Sequence, residues 1–207
     1  MKQARRRRGH LPNPYLEAFT LLCGSSKSVN MPSIDRMLQH IDTYASRFEA
    51  RTNLVSRFAW AIPNDAAIRA IARYSPIVEM GAGTGYWARC LTEAGAEVTC
   101  YDQSPGQNDQ AWHPVMAGQP PVLVNHREAA LLLCWPPYNS SMAYQAVKFH
   151  GGRILCYVGE GPGGCTGDEA FHEYVGNHYE EVESIAIPQY DGLRDALFIY
   201  QRKIRRI

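Results

Sequence analysis

Apolar residues along this chain fall into two regimes. Before about position 75 they recur with a helical period. In SIDRMLQHIDTYASRFEA, the residues Ile34, Met37, Leu38, Ile41, Ala45 and Phe48 share one face, and Ser33 is placed to cap the start. PNDAAIRAIARYS predicts a second helix, capped by Asn64 or Asp65, with Ala67, Ile68, Ile71 and Ala72 as its apolar face and an end just before Pro76. From Pro76 onward, short apolar runs alternate with amphipathic ones. IVEM reads as a strand, GYWARCLTEAG as a helix closed by Gly95, and EVTCYD as a second strand. Between 103 and 130 Gln, Pro and Gly blur the pattern, and a third strand fits either 114–117 or 122–124. AALLLCW is a continuous apolar run, as a strand covered on both faces requires. SMAYQAVKFHG predicts a helix and RILCYVGE a strand. TGDEAFHEYVGNHY predicts a helix opened by a Thr166/Glu169 capping box. EEVESIAIP and DALFIYQR, joined through QYDGLR, close the chain as two strands with a loop short enough for an antiparallel pair.

This alternation predicts an α/β fold: a mostly parallel sheet with an antiparallel last strand, helices on both faces, and ligands at the carboxyl ends of the strands. The expected organisation is a basic disordered tail over 1–13, where LPNP supplies breakers, a helical extension over 14–60 and a catalytic domain over 61–207. A length of 207 residues suits one domain with a full core. No apolar run approaches the roughly 20 residues of a membrane span, and the N-terminus has no signal-peptide pattern, so a cytoplasmic protein is expected. Cys23, Cys90, Cys100, Cys134, Cys156 and Cys165 are scattered without C-x-x-C or nearby His at ligand spacing, which points to reduced thiols and to no metal. The net charge is +1, but five positive charges lie in MKQARRRR and four in RKIRRI. Removing these nine of the 21 basic residues leaves 12 against 20 acidic ones, so the body is acidic and has no footprint for a phosphate backbone. The Arg run leaves nucleic acid possible as a partner but not favoured.

The chemistry concentrates at PIVEMGAGTGYWARCL. Gly81, Gly83 and Gly85 alternate in the turn between the first strand and its helix, where missing β-carbons permit a tight bend and close approach of a ligand. The spacing is G-x-G-x-G, and no G-K-[ST] follows to grip a triphosphate. Glu79 precedes the first glycine by two, an unusual neighbour for a phosphate and a good one for an amine. Asp102 stands at the end of the second strand, where a carboxylate can accept hydrogen bonds from both hydroxyls of a ribose.

VEMGAGTG followed by YD resembles the cofactor-binding half of class I S-adenosylmethionine-dependent methyltransferases, over about residues 60–201. The resemblance implies a Rossmann-like fold, S-adenosyl-L-methionine as cofactor and S-adenosyl-L-homocysteine as product. It implies that Glu79 serves the methionine ammonium, that Gly81, Ala82, Gly83 and Gly85 pass beneath the cofactor, and that Asp102 holds the ribose with Gln103 beside the adenine. Trp60 is expected over the cleft, and Tyr86 and Trp87 open a helix bordering it, one of them facing the core. The alternative for the motif is a nicotinamide-binding Rossmann domain.

WPPYNSSM is similar to the Asp/Asn/Ser-Pro-Pro-Tyr loop of amino methyltransferases, except that Trp135 stands where that motif has a hydrogen-bond acceptor. With the acceptor gone, stacking by Trp135, Pro136 and Tyr138 against a flat or apolar substrate fits better than orienting an amine; the other role for Trp135 is a buried anchor. Glu160 ends the fifth strand, where shielding by aromatics would raise its pKa and make it a base, and His113, His126 and His172 are alternative bases. Trp60, Trp87, Trp112, Trp135 and Tyr138 are expected around the cleft. These features favour methyl transfer to a small-molecule or peptide nucleophile by SN2 displacement. RNA or DNA base N-methylation and a non-catalytic cofactor-binding or scaffold module are the alternatives.

Overall fold

A computed structural model describes residues 12–23, 48–106 and 110–204. Its helices are α1 (Pro14–Cys23), α2 (helical over 48–57), α3 (Asp65–Ala72), α4 (Tyr86–Glu93), α5 (Met142–His150) and α6 (Glu169–His178). Its strands are β1 (Ile77–Met80), β2 (Val98–Asp102), β3 (Met116–Ala117), β4 (Ala130–Cys134), β5 (Ile154–Gly159), β6 (Tyr179–Ala186) and β7 (Ala196–Arg202). They form one sheet in the order β3-β2-β1-β4-β5-β7-β6. The first five of these strands are parallel, and β7 runs antiparallel to both β5 and β6. This is the Rossmann-like sheet with an antiparallel last strand that the alternation predicts.

Strand alternation divides the core in two. Ile77, Leu132, Cys156, Val158, Leu197 and Ile199 face α3, α4 and the N-terminal extension. Val78, Met80, Leu131, Leu133, Leu155 and Tyr157 face α5, α6 and Leu123. With both faces covered, β4 is apolar almost throughout, which is why AALLLCW shows no alternation, and β1 is buried along its whole length although it carries Glu79.

Local chemistry decides the ends. Asn64 caps α3 by accepting from Ala67 N–H at 2.9 Å. The expected Thr166/Glu169 box is overturned: Asp168 caps α6, accepting from Phe171 N–H at 3.0 Å. Thr166 is fully buried, and its hydroxyl lies 2.6 Å from the Tyr157 hydroxyl and accepts from Glu160 N–H at 2.7 Å. A hydroxyl drawn inward to close the loop after β5 is no longer free to cap a helix. The third strand is Met116–Ala117, within the first of the two expected windows, while the second forms a 3-10 turn (Pro120–Asn125). The helix expected from Ser33 lies mostly outside the described residues.

The chain joins the fold at Asn13, the last residue of the expected tail. Asn13 is buried, accepts from Leu16 N–H at 3.0 Å and donates to Pro63 O at 2.7 Å. Tyr15 is fully buried, stacks on Phe58 with ring centroids 4.9 Å apart, and donates to Ala59 O at 2.8 Å. The described parts of the extension therefore pack into the core, and α2 lies over the cavity at the carboxyl edge of the sheet.

His150, at the end of α5, is buried with Nε2 at 3.1 Å from His126 O and 3.0 Å from Ala129 O, and Nδ1 accepts from Gly152 N–H at 3.2 Å. Burial pushes its pKa below the usual 6.5, against the opposing effect of the two carbonyls. The neutral ring is thus the folded form. Its contribution is fully present above about pH 6.5 and is lost as pH falls, because the unfolded chain binds the proton more readily. In urea unfolding, the stability difference between wild type and His150→Gln should shrink between pH 7.5 and pH 5. A difference that does not change with pH would show that the ring does not titrate differently in the two states.

Candidate functional site

The bend after β1 is fixed from below by its neighbour strand. Gly81 N–H and Ala82 N–H both donate to Tyr101 O, at 2.8 and 3.1 Å. Gly81, Gly83 and Gly85 have φ of 78°, 55° and 76°, a region in which L side chains are strained. Their roles differ. Gly81 and Gly83 line the cavities described next, whereas a β-carbon at Gly85 would fall 2.9 Å from His113 Cβ. Gly85 makes room for the 112–113 segment, not for a ligand. Thr84 is buried, and its hydroxyl donates to Phe58 O, tying the bend to the extension.

Two cavities open on either side of this bend. One, of about 410 Å³, lies between α2 and the bend and is lined by Arg51, Val55, Trp60, Glu79 and Ala82 among others. The second, of about 350 Å³, runs from Asp102, Gln103 and Gln119 to Trp135, Pro136 and Ser140. Trp60, Gly81, Gly83 and Cys134 border both, so the two form one divided cleft at the tips of β1, β2 and β4.

Glu79 points into the first cavity and is only 1% exposed. The Cys100 thiol lies 3.8 Å from its Oε2. Burial pushes the carboxyl up to about 8, with a further upward push from the Asp102 charge and a downward one from the thiol. Asp102 is held differently: Oδ2 accepts from Gly83 N–H at 3.0 Å and Oδ1 from Ser104 N–H at 2.9 Å. That fixes the carboxylate at the rim of the second cavity, beside the exposed Gln103.

Tyr86, expected beside the cofactor, is in the core. It is fully buried, its hydroxyl donates to Asn13 Oδ1 at 3.0 Å and accepts from Tyr15 N–H at 3.2 Å. Trp87 is also inward, donating to Ala61 O at 3.0 Å, so both residues opening α4 face the extension, although Trp87 also lines the first cavity. Trp112 stacks on Phe58 with centroids 5.3 Å apart and lines neither cavity.

At the tip of β4, Trp135 has φ +53°. Its N–H donates to Val158 O at 2.7 Å, and its indole Nε1–H donates to Asp195 Oδ1 at 2.9 Å. The indole stacks on Trp60, with centroids 4.7 Å apart and planes 11° from parallel. Asp195 is 1% exposed, and burial pushes its pKa up to about 6 despite the indole bond. Pro136 is buried against the loop after β5, its carbonyl accepting from Gly167 N–H at 2.8 Å. Tyr138 is exposed and borders neither cavity, so the structure does not bring it to the cleft.

Glu160 is committed to backbone donors from two loops. Its carboxylate accepts from Cys165 N–H at 2.8 Å and Arg194 N–H at 2.7 Å and lines neither cavity. Burial alone would raise its pKa, but these donors and the Arg194 charge bring it below the usual carboxylate value, opposite to the expectation. It binds the loop after β5 to the β6–β7 loop. His113, His126 and His172 also turn elsewhere: His113 Nδ1 to Pro114 O at 3.0 Å, His126 Nε2 to the Tyr101 hydroxyl at 3.1 Å, His172 Nε2 to Thr166 O at 2.9 Å.

Sequence reading did not single out Arg51 or Asp195. Asp195 had a usable signal: a last strand antiparallel to β5 begins at the ligand edge of the sheet. Arg51 had none, because its place depends on how the extension folds back. Among the described residues no cluster of His, Cys, Asp and Glu could hold a metal ion, and no helix is long and apolar enough to cross a membrane.

No protein-family model matches the chain, and no curated protein does. Solved structures do resemble it. A Burkholderia thailandensis 1,6-didemethyltoxoflavin-N1-methyltransferase with bound 1,6-didemethyltoxoflavin and S-adenosylhomocysteine is similar at 15% identity and TM-score 0.49, over 86% of this chain and 93% of that one. A Synechocystis PCC 6803 magnesium protoporphyrin IX methyltransferase with bound S-adenosylmethionine is similar at 12% identity and TM-score 0.47, over 91% of each chain. A Streptococcus thermophilus rRNA methylase is similar at 16% identity and TM-score 0.41, over 66% of this chain and 94% of that one.

Because Glu79 is harder to ionise in the folded protein than in the unfolded chain, it costs stability as pH rises from about 4.5 to about 8. Glu79→Gln should raise the unfolding free energy of the ligand-free protein at pH 8 by about 1–3 kcal/mol, and by much less at pH 5. A Gln variant less stable than wild type at pH 8 would mean that the carboxylate has a partner in the folded protein.

Proposed function

We propose that this chain is a methyltransferase that takes its methyl group from S-adenosyl-L-methionine and passes it to a small-molecule or peptide nucleophile. The observation that carries the reading is Glu79: a buried carboxyl with no ion pair among the described residues, on the floor of a cavity roofed by α2 and bordered by the bare backbone of Gly81 and Gly83. A cationic amine is the group that such a carboxyl favours, and ionising against it would offset the cost of burial. The positive-φ bend at Gly81 and Gly83 suits close passage of the ligand's middle. Asp102, locked in orientation by two backbone donors, is placed for a ribose diol at the tip of β2, and Gln103 and Gln119 beyond it for a purine. A dinucleotide reading leaves Glu79 without a partner.

When bound, the sulfonium supplies a methyl group already activated for displacement. The residues of this chain then have to hold, orient and keep dry. Trp60 lies on the border between the two cavities and Trp135 on the wall of the second, which supports a role for both in contacting an acceptor. The cavity volumes, about 410 and 350 Å³, are in the range of small-molecule sites.

Isothermal titration with S-adenosylhomocysteine tests the reading. Asp102→Ala should weaken binding by about 1–3 kcal/mol through lost hydrogen bonds to a charged group. Because Glu79 is largely protonated near pH 6.5 and would ionise beside an amine, binding at that pH should release close to one proton, seen as a dependence of the heat on the buffer's ionisation enthalpy. Glu79→Gln should remove that release. Wild type that ignores both S-adenosylmethionine and S-adenosylhomocysteine, or prefers a nicotinamide dinucleotide, overturns the assignment.

A further inference from the structure

Helix α2 carries Arg51 toward the loops that follow β4 and β6. Its guanidinium carbon lies 5.3 Å from the Tyr190 ring centroid and 5.9 and 6.0 Å from those of Trp60 and Trp135. The last two distances are at the outer limit for a cation–π contact, so the indoles do little to neutralise the charge. Among the described residues Arg51 has no ion-pair partner, and its Nε is buried with no hydrogen-bond acceptor. The acid whose charge it feels, Asp195, is held on the Trp135 indole. Arg51 as a whole is half-buried, and its buried N–H donor without an acceptor is costly unless a ligand supplies one.

Around it the described lining is Phe48, Val55 and Trp60 with Thr52 and Ser56, whose hydroxyls already donate to Phe48 O and Asn53 O, and Arg51 is the one basic residue there. A single guanidinium on an apolar wall suits a monoanion on an apolar body, since a phosphate dianion calls for further donors. Arg51's ring contacts are with Trp60, Trp135 and Tyr190 rather than with the glycine bend. Arg51 shares the first cavity with Glu79, but these contacts turn it toward Trp60, which borders both cavities, and so toward the side where an acceptor would meet the cofactor.

We propose that Arg51 anchors the carboxylate of an aromatic or apolar small-molecule acid, the acceptor of the methyl group, against the Trp60–Trp135 wall. This rests on the reading of the neighbouring bend as the cofactor site. The competing occupant of the guanidinium is the carboxylate of the cofactor's own methionine end.

The test uses the full chain, with indole fluorescence as the signal and simple probes as ligands: benzoate and phenylacetate against their neutral amides, benzamide and phenylacetamide. Titrations are made with and without saturating S-adenosylhomocysteine, whose own affinity is measured separately. In the loaded wild type the acids should bind about tenfold tighter than the amides. Arg51→Gln should erase that preference with S-adenosylhomocysteine affinity unchanged, and Arg51→Lys should restore part of it. Far-UV circular dichroism and the thermal midpoint verify that each variant is folded. Equal binding of acid and amide by wild type overturns the proposal. So does an Arg51→Gln variant that loses S-adenosylhomocysteine affinity and keeps the acid preference, because the guanidinium then belongs to the cofactor. If S-adenosylhomocysteine binds to no variant, the cofactor reading falls by itself. The anion site is then judged by the unloaded protein: an Arg51-dependent preference for acids upholds it, and its absence ends it.

Discussion

A carboxyl group set into a cavity floor without a cation beside it is the constraint on which the rest of the site depends. Glu79 is there because β1 is central in the sheet, paired with β2 and β4 at once, with its side chains alternating between two covered faces. Glu79 shares its face with Ile77, so it points toward the extension, not toward solvent or α5. Apolar neighbours on either strand and the Cys100 thiol leave it poorly solvated. Such a group opposes folding of the empty protein at neutral pH, and sites that bind charge commonly accept that kind of local cost. The extension makes the cost possible. Asn13, Tyr15 and the Thr84–Phe58 bond tie it to α4 and to the bend, and α2 then closes the cavity over Glu79.

What could be read from the residues was what short-range physics determines. The apolar runs of β1, β2, β4, β5 and β7, the Asn64 cap and the glycine bend are each encoded within a few positions. The antiparallel last strand followed from the length of a loop. Errors arose where a residue had two uses and tertiary packing chose. Thr166 has the chemistry of a cap and the size to fill the gap beneath the loop after β5; buried against Tyr157, it does the second, and Asp168 takes the first. Glu160 looked like a shielded acid, but two backbone donors from separate loops made it a clasp with a lowered pKa. Tyr86 follows the glycine that ends the bend, and nothing local says that the first turn of α4 faces an N-terminal segment seventy residues away.

The loop after β4 is built around the indole of Trp135. The backbone there adopts a left-handed conformation that a non-glycine residue holds only under constraint. Four contacts supply the constraint: Val158 O, Asp195, Trp60, and Pro136 locked to Gly167. The carboxyl group of Asp195, in the loop just before β7, faces the indole and not the cavity, and Asp195 borders neither space. The result is a rigid aromatic wall with its hydrogen-bonding capacity turned away from the ligand.

That arrangement narrows what the cleft can do. Among the described residues the acids lining it are Glu79 and Asp102, and the proposed reading commits both to the cofactor, while no histidine borders either cavity. Removing a proton from an alcohol or an ammonium near pH 7 needs a base within hydrogen-bond reach, and the wall formed by Trp60, Trp135 and Pro136 offers none. On the proposed reading, an acceptor whose lone pair is already free, as in a carboxylate or a thiolate, suits a wall without a base among the described residues. A guanidinium beside that wall would hold such an anionic acceptor and exclude a cationic one by the same charge. The absence of a base on the described wall and of an ion-pair partner for Arg51 among the described residues are separate observations, and both favour the same class of molecule.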